Sequence, residues 1–177
     1  MELTLTYMFS QFFTILIYVF LAITYYAKDR KIILFFSFLS LIANAVAYVL
    51  LSAWTGFFMC IVAMIRNIIF IIDEKKNSKK ERIDKKDILI LLILYIILII
   101  FVLLTFDGIA SICSALATVI YTYSVWQNKT KVYKLLGIPY GIFCVLYNIL
   151  IHSIFGIILE IILLICSTTG YILEIKN

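Results

Sequence analysis

The stretch ILILLILYIILIIFVLLTF, Ile88 to Phe106, decides the class of fold. It contains no charged residue, no Gly and no Pro, and its apolar side chains would cover every side of a helix rather than one stripe. At about 1.5 Å per residue such a helix is close to the roughly 30 Å depth of a bilayer's hydrocarbon core. The rest of the chain has the same character. Of 177 residues, 65% are hydrophobic and only 14% charged, and the mean hydropathy is +1.14. A soluble domain cannot hide that much apolar surface. With one Pro and six Gly, and with apolar runs that are continuous rather than alternating, a β-barrel does not fit. The expected class is an all-α, multi-pass membrane protein.

Working outward from Ile88, seven apolar runs are expected to span: about 4–26, 32–52, 55–72, 88–106, 108–127, 132–150 and 154–173. Most connections are tight: AKDRK, SAWTG, FDG, NKTK and IHS. The exception is DEKKNSKKERIDKKD, Asp73 to Asp87, which reads as a solvated linker; its five acids dilute its seven bases as an anionic-lipid contact. The basic residues alternate by connection. Lys28, Arg30 and Lys31 follow run 1, seven follow run 3, Lys129, Lys131 and Lys134 follow run 5, and Lys176 lies in the tail, so fourteen of the fifteen fall on one side. The positive-inside rule then puts the N-terminus outside and the C-terminus in the cytoplasm. The first run has no basic residue before it and follows Glu2, so it reads as a retained span rather than a cleaved signal. The net charge of +5 is a topology signal, which removes nucleic acid as a partner and leaves the lipid bilayer. Self-association into a homo-oligomer is compatible with this reading.

A shift of 100 residues superimposes runs 1–3 on runs 5–7 without a gap. Lys31 falls on Lys131, Gly56 on Gly156, and Thr24 on Ser124. The expected organisation is a first three-helix repeat over 1–72, the charged linker with helix 4 over 73–107, and a second repeat over 108–177. An odd helix between two triplets gives both the same orientation in the membrane, a 3-1-3 arrangement of parallel repeats with helix 4 as the inverting linker facing mostly lipid.

Inside the hydrocarbon lie two ions, Arg66 in the third run and Glu160 in the seventh. Each costs roughly 2.5–3.5 kcal/mol at a helix centre, so such residues face a bundle interior or a wet cavity. Counted from the aligned glycines their axial offset is about 9 Å. Three readings stay open: Arg66 snorkels to the near surface, the two form a structural pair, or they bind substrate or a coupling proton. On one face of the seventh run Glu160, Leu164 and Ser167 follow i, i+4, i+7, and the repeat maps Ser167 onto Asn67. Asn44, Asn148 and Gln11 are further amides within the runs; helix–helix hydrogen bonding competes with a substrate role for each. In GIPYG, Pro139 between Gly137 and Gly141 reads as a kink and a candidate hinge. The stretch GIASICSALA, Gly108 to Ala117, reads as close helix packing. Trp54 and Tyr48 read as interfacial anchors. Cys60, Cys113, Cys144 and Cys166 have no paired spacing and read as packing residues; His152 stands alone, so no metal or cofactor is expected. No hydrolase, kinase or dinucleotide motif occurs, which argues against an enzyme.

Four stretches carry a family resemblance: SQFFTILIYVFLAITYYAKDRK, AMIRNII, the ATVIYTYSVW region, and VLYNILIHSIFGIILE. In order and spacing the chain resembles the YgjV-type bacterial inner-membrane proteins, within the SWEET and PnuC group of small-molecule transporters. Ser10-Gln11 stands where SWEET-type proteins carry Pro-Gln, and Ala63 and Ser167 stand where YgjV-type proteins often carry Asn. The resemblance implies a transporter, facilitative or proton-linked, of a small polar metabolite. Its midplane pocket between the repeats would be lined by Arg66, Asn67, Glu160, Ser167, Asn148, Asn44 and Gln11. The competing expectation is a membrane scaffold or receptor on the same fold, with Arg66 and Glu160 as a structural pair.

Overall fold

The computed structural model describes residues 2–51, 54–77, 85–104, 106, 108–150 and 152–176. They form seven α-helices: α1 Glu2–Tyr26, α2 Arg30–Leu50, α3 Trp54–Asn77, α4 Lys85–Leu104, α5 Gly108–Trp126, α6 Thr130–Leu150 and α7 Ile154–Lys176. There is no strand among the described residues. Five of the helices, all but α3 and α4, are long and apolar enough to cross a membrane, and α4 holds the shorter apolar segment Ile88–Leu104. Large apolar side chains are exposed along whole helix faces. On α1, Met8, Phe12, Ile15, Val19 and Ile23 follow helical spacing, and on α4 Leu89, Leu92, Ile96, Ile99 and Leu103 do the same. Continuous apolar faces of this extent suit contact with lipid, not water.

The chain divides into two compact units, Met1–Ser78 and Lys79–Asn177. α4 packs on α5, where the Tyr95 hydroxyl donates to the Val119 carbonyl at 3.3 Å, and falls within the second unit. In unit 1, α2 is the middle helix, packed against both α1 and α3; in unit 2, α6 is packed against both α5 and α7. Small side chains let α2 sit in the middle: Ser37, Ser40, Ala43, Ala45 and Ala47 are all buried on it, the composition that allows close helix approach in lipid. Aromatic rings seat α1 on α2 and α5 on α6, Phe20 with Phe36 at 6.0 Å and Tyr121 with Tyr140 at 5.1 Å.

The two units share their local structure at a spacing of 100 residues. α1 and α5 end at Tyr26 and Trp126, α2 and α6 cover Arg30–Leu50 and Thr130–Leu150, and α3 and α7 begin at Trp54 and Ile154. The first turn repeats its hydrogen bonds, Ala27 N–H to Ile23 O and Gln127 N–H to Tyr123 O, then Ile33 N–H to Asp29 O and Tyr133 N–H to Lys129 O. Thr24 and Ser124 each return a hydroxyl to the carbonyl three residues earlier. Burial repeats as well, at Tyr25 and Val125, Ile33 and Tyr133, Leu34 and Lys134, and Cys60 and Glu160.

The turn between α6 and α7 is built by local chemistry. His152 has φ 56°, a left-handed conformation. It donates to Ile149 O at 3.1 Å while Ser153 N–H donates to Asn148 O at 2.9 Å, the bond pair of a Schellman helix end. Ser153 then caps α7, its hydroxyl accepting from Gly156 N–H at 3.3 Å. His152 is exposed here. The side chain of Trp54, an expected interfacial anchor, lies outside the described residues, as do Asp107 and the linker centre over 78–84.

Candidate functional site

Ser167 and Glu174 of α7 bond to α6. Glu160, Leu164 and Ser167 share a stripe, and each meets the middle helix of its unit. Ser167 has no exposed surface and donates its hydroxyl to the Lys134 carbonyl at 2.7 Å. A Cβ on Gly141 would come within 2.7 Å of Leu164 Cδ1, so the absence of a side chain at Gly141 sets how closely α6 and α7 approach. Glu160, 7% exposed, lies within electrostatic reach of Cys144 on α6. Asn148 belongs to the same seam. Its amide donates to the Cys144 carbonyl at 2.8 Å, and a Cβ on Gly156 would meet its Oδ1 at 2.0 Å. Pro139 sits half-buried inside an uninterrupted α6, between the buried Gly137 and Gly141.

Unit 1 has the corresponding seam between α2 and α3. Asn67, fully buried, donates from Nδ2 to the Ser37 hydroxyl at 2.9 Å. Its Oδ1 has no hydrogen-bond partner among the described residues. Ser40 donates to the Ser37 carbonyl at 2.7 Å, and Asn44 lies half-buried one turn further along α2. Arg66 is 6% exposed on α3. Gln11 is half-buried on α1, beside the fully buried Ser10, whose hydroxyl returns to Tyr7 O at 2.7 Å. The structure therefore gathers Glu160, Ser167, Asn148 and Gly141 at one seam, and Asn67 at the other. Arg66 and Glu160 belong to different units. Among the described residues no group of three His, Cys, Asp or Glu side chains is placed to hold a metal.

Charge counting assigns Arg30 and Lys134 to topology and Glu74 to the linker, and so misses two contacts. Glu74, near the end of α3, pairs with Arg30 at the start of α2 at 2.6 Å, with side chains 15% and 8% exposed. Glu174, near the end of α7, pairs with Lys134 on α6, and its other oxygen accepts from Thr130. The signal was present in the sequence, since Glu74 and Glu174 are identical residues 100 apart, each seven residues after Asn67 or Ser167.

A family model described as Imp-YgjV, bacterial inner membrane protein, matches residues 8–176. No curated protein matches the chain, and no solved structure does.

Proposed function

The chain belongs to the Imp-YgjV family of bacterial inner membrane proteins, and from that premise we propose that this multi-pass protein is a transporter of a small polar metabolite, facilitative or proton-linked. We place it in the SWEET and PnuC group, with seven spans arranged 3-1-3 as two parallel repeats and with its C-terminus in the cytoplasm. The observation that carries the proposal is Asn67. Asn67 lies on α3 with no exposed surface of its own, and its Oδ1 has no partner among the described residues. Leaving a buried acceptor unmet costs about 1–3 kcal/mol, and an N–H or O–H of a polar solute would recover it. The ionisable residues Arg66 and Glu160, buried on α3 and α7, support the same reading, because ionisable groups at membrane depth are costly and are found along ion and solute paths.

A second reading, a scaffold or receptor without transport, is favoured by Ser167 and Asn148, whose hydrogen bonds are spent on α6. Flux separates the two. Purified protein in liposomes should carry at least one member of a panel of neutral and charged polar metabolites. Arg66→Gln, Asn67→Leu and Glu160→Gln, each shown to be folded, should slow that flux by about tenfold or more, the equivalent of one lost buried polar contact. No flux for any panel member would favour the scaffold. Unchanged flux in all three variants would remove these residues from the site.

A further inference from the structure

Two rungs tie α3 to α2 in unit 1, and two tie α7 to α6 in unit 2. In unit 1 the rungs are Asn67 to Ser37 and Glu74 to Arg30. In unit 2 they are Ser167 to the Lys134 carbonyl and Glu174 to the Lys134 ammonium and the Thr130 hydroxyl. On α3 and on α7 the two rungs are seven residues apart, two helical turns on one face, or about 10 Å along the axis. The carboxylate is conserved between the units while its partner moves. Thr130, the counterpart of Arg30, keeps the hydrogen bond, and the cation moves one turn along to Lys134, the counterpart of Leu34. Two different sequences thus reach one result, a carboxylate near the end of α3 or α7 clamped to the first turns of α2 or α6. Lys134 serves both rungs at once, with its ammonium on Glu174 and its carbonyl accepting from Ser167.

We infer that Glu74 and Glu174 are positioning residues for the polar side chains of the seams, holding Asn67 and Ser167 against α2 and α6. This rests on the transport reading for what Asn67 and Ser167 do, but not for how they are held. A clamp of this kind closes the end of the seam, so that a group two turns away meets solvent only by local opening. Ion pairs buried to this degree resist opening because either partner left alone is an uncompensated charge. Arg30 is 8% exposed and Lys134 4% at the side chain.

The test needs no substrate, so its failure is distinct from failure of the transport reading. In a chain with Cys60, Cys113, Cys144 and Cys166 replaced by alanine, Ser167→Cys places a thiol in the second seam. Its rate of modification by N-ethylmaleimide is measured in lipid nanodiscs. Adding Glu174→Gln should raise that rate about tenfold or more by freeing local opening, and the exchanged pair Lys134→Glu with Glu174→Lys should return it towards the starting value. Thr130→Val, which keeps the ion pair and removes one hydrogen bond, should give a smaller rise and serves if Glu174→Gln does not fold. Asn67→Cys with Glu74→Gln, and with the exchanged pair Arg30→Glu and Glu74→Arg, repeats the test in the first seam. An unchanged rate in Glu174→Gln, or in Thr130→Val where that variant stands in, would overturn the inference. So would an exchanged pair that folds but leaves the thiol as reactive as the single variant.

Discussion

Gly156 shows how a single missing side chain sets a helix contact. A Cβ there would stand 2.0 Å from Asn148 Oδ1, 2.7 Å from its Cγ and 2.8 Å from Ser153 Oγ. To make room, Asn148 would have to turn away and give up its bond to the Cys144 carbonyl. Gly156→Ala is therefore expected to destabilise by about 1–3 kcal/mol, the usual range for overpacking. Asn148→Ala should relieve most of that in the double variant. Denaturant unfolding in detergent measures the cycle, and equal effects of Gly156→Ala in both backgrounds would show that the two do not touch. His152 is the opposite case. It holds a left-handed φ of 56° that a Cβ disfavours, and its ring is not needed for the two backbone bonds that end α6. His152→Gly should stabilise by about 0.5–1 kcal/mol, part of the left-handed penalty being returned as backbone entropy. A loss of stability would mean that the imidazole itself contributes. The sequence showed His152 as a lone histidine outside any metal cluster. Its structural use was not legible, because a left-handed helix end recruits Gly or Asn far more often.

At the scale of the helix, hydropathy finds the elements but stops where water starts. The third run is expected to end at 72, yet α3 continues to Asn77. Helical hydrogen bonding does not require apolar side chains, and Glu74 is held by Arg30. The stripe Glu160–Leu164–Ser167 is readable from spacing alone. That it faces α6 is not, because a helix apolar on nearly every side carries no strong signal of its own rotation. Glycines gave the missing direction, since a Cβ at Gly141 would meet Leu164 of α7 and one at Gly156 would meet Asn148 of α6. Pro139 tests the strength of this seam. It removes the N–H that would reach the Leu135 carbonyl, and α6 nonetheless runs unbroken from Thr130 to Leu150. Pro139→Leu should restore that hydrogen bond and raise stability by about 0.5–1.5 kcal/mol, visible as a higher Tm. If bending of α6 belongs to the transport cycle, the same variant should slow flux while it gains stability. A fall in both would instead point to a packing role for the ring.

For the whole molecule, the 100-residue repeat is recorded three times over: in helix bounds, in the hydrogen bonds of the first turns, and in burial. Sequence identity between the halves is a poor guide here because Ile and Leu exchange freely in lipid-facing positions. Matched landmarks survive because each has a backbone or packing job. What the repeat leaves to be tested is how many helices cross. Five are long and apolar enough, and α3 and α4 are the other two. If both or neither of these crossed, the C-terminus would lie on the same side, so its location does not discriminate. The linker between them does. With seven spans and the N-terminus outside, residues 78–84 lie in the cytoplasm, on the side of Lys28, Lys31, Lys129 and Lys131. With five, the same segment lies outside and carries its bases against the positive-inside bias. Alkaline phosphatase, active only outside the cytoplasm, inserted at 78–84 should therefore be inactive, and active when inserted at 151–153. A fluorescent protein fused after residue 177 should fluoresce. An active phosphatase in the linker would reduce the molecule to five spans and end the parallel-repeat arrangement, whatever the substrate is.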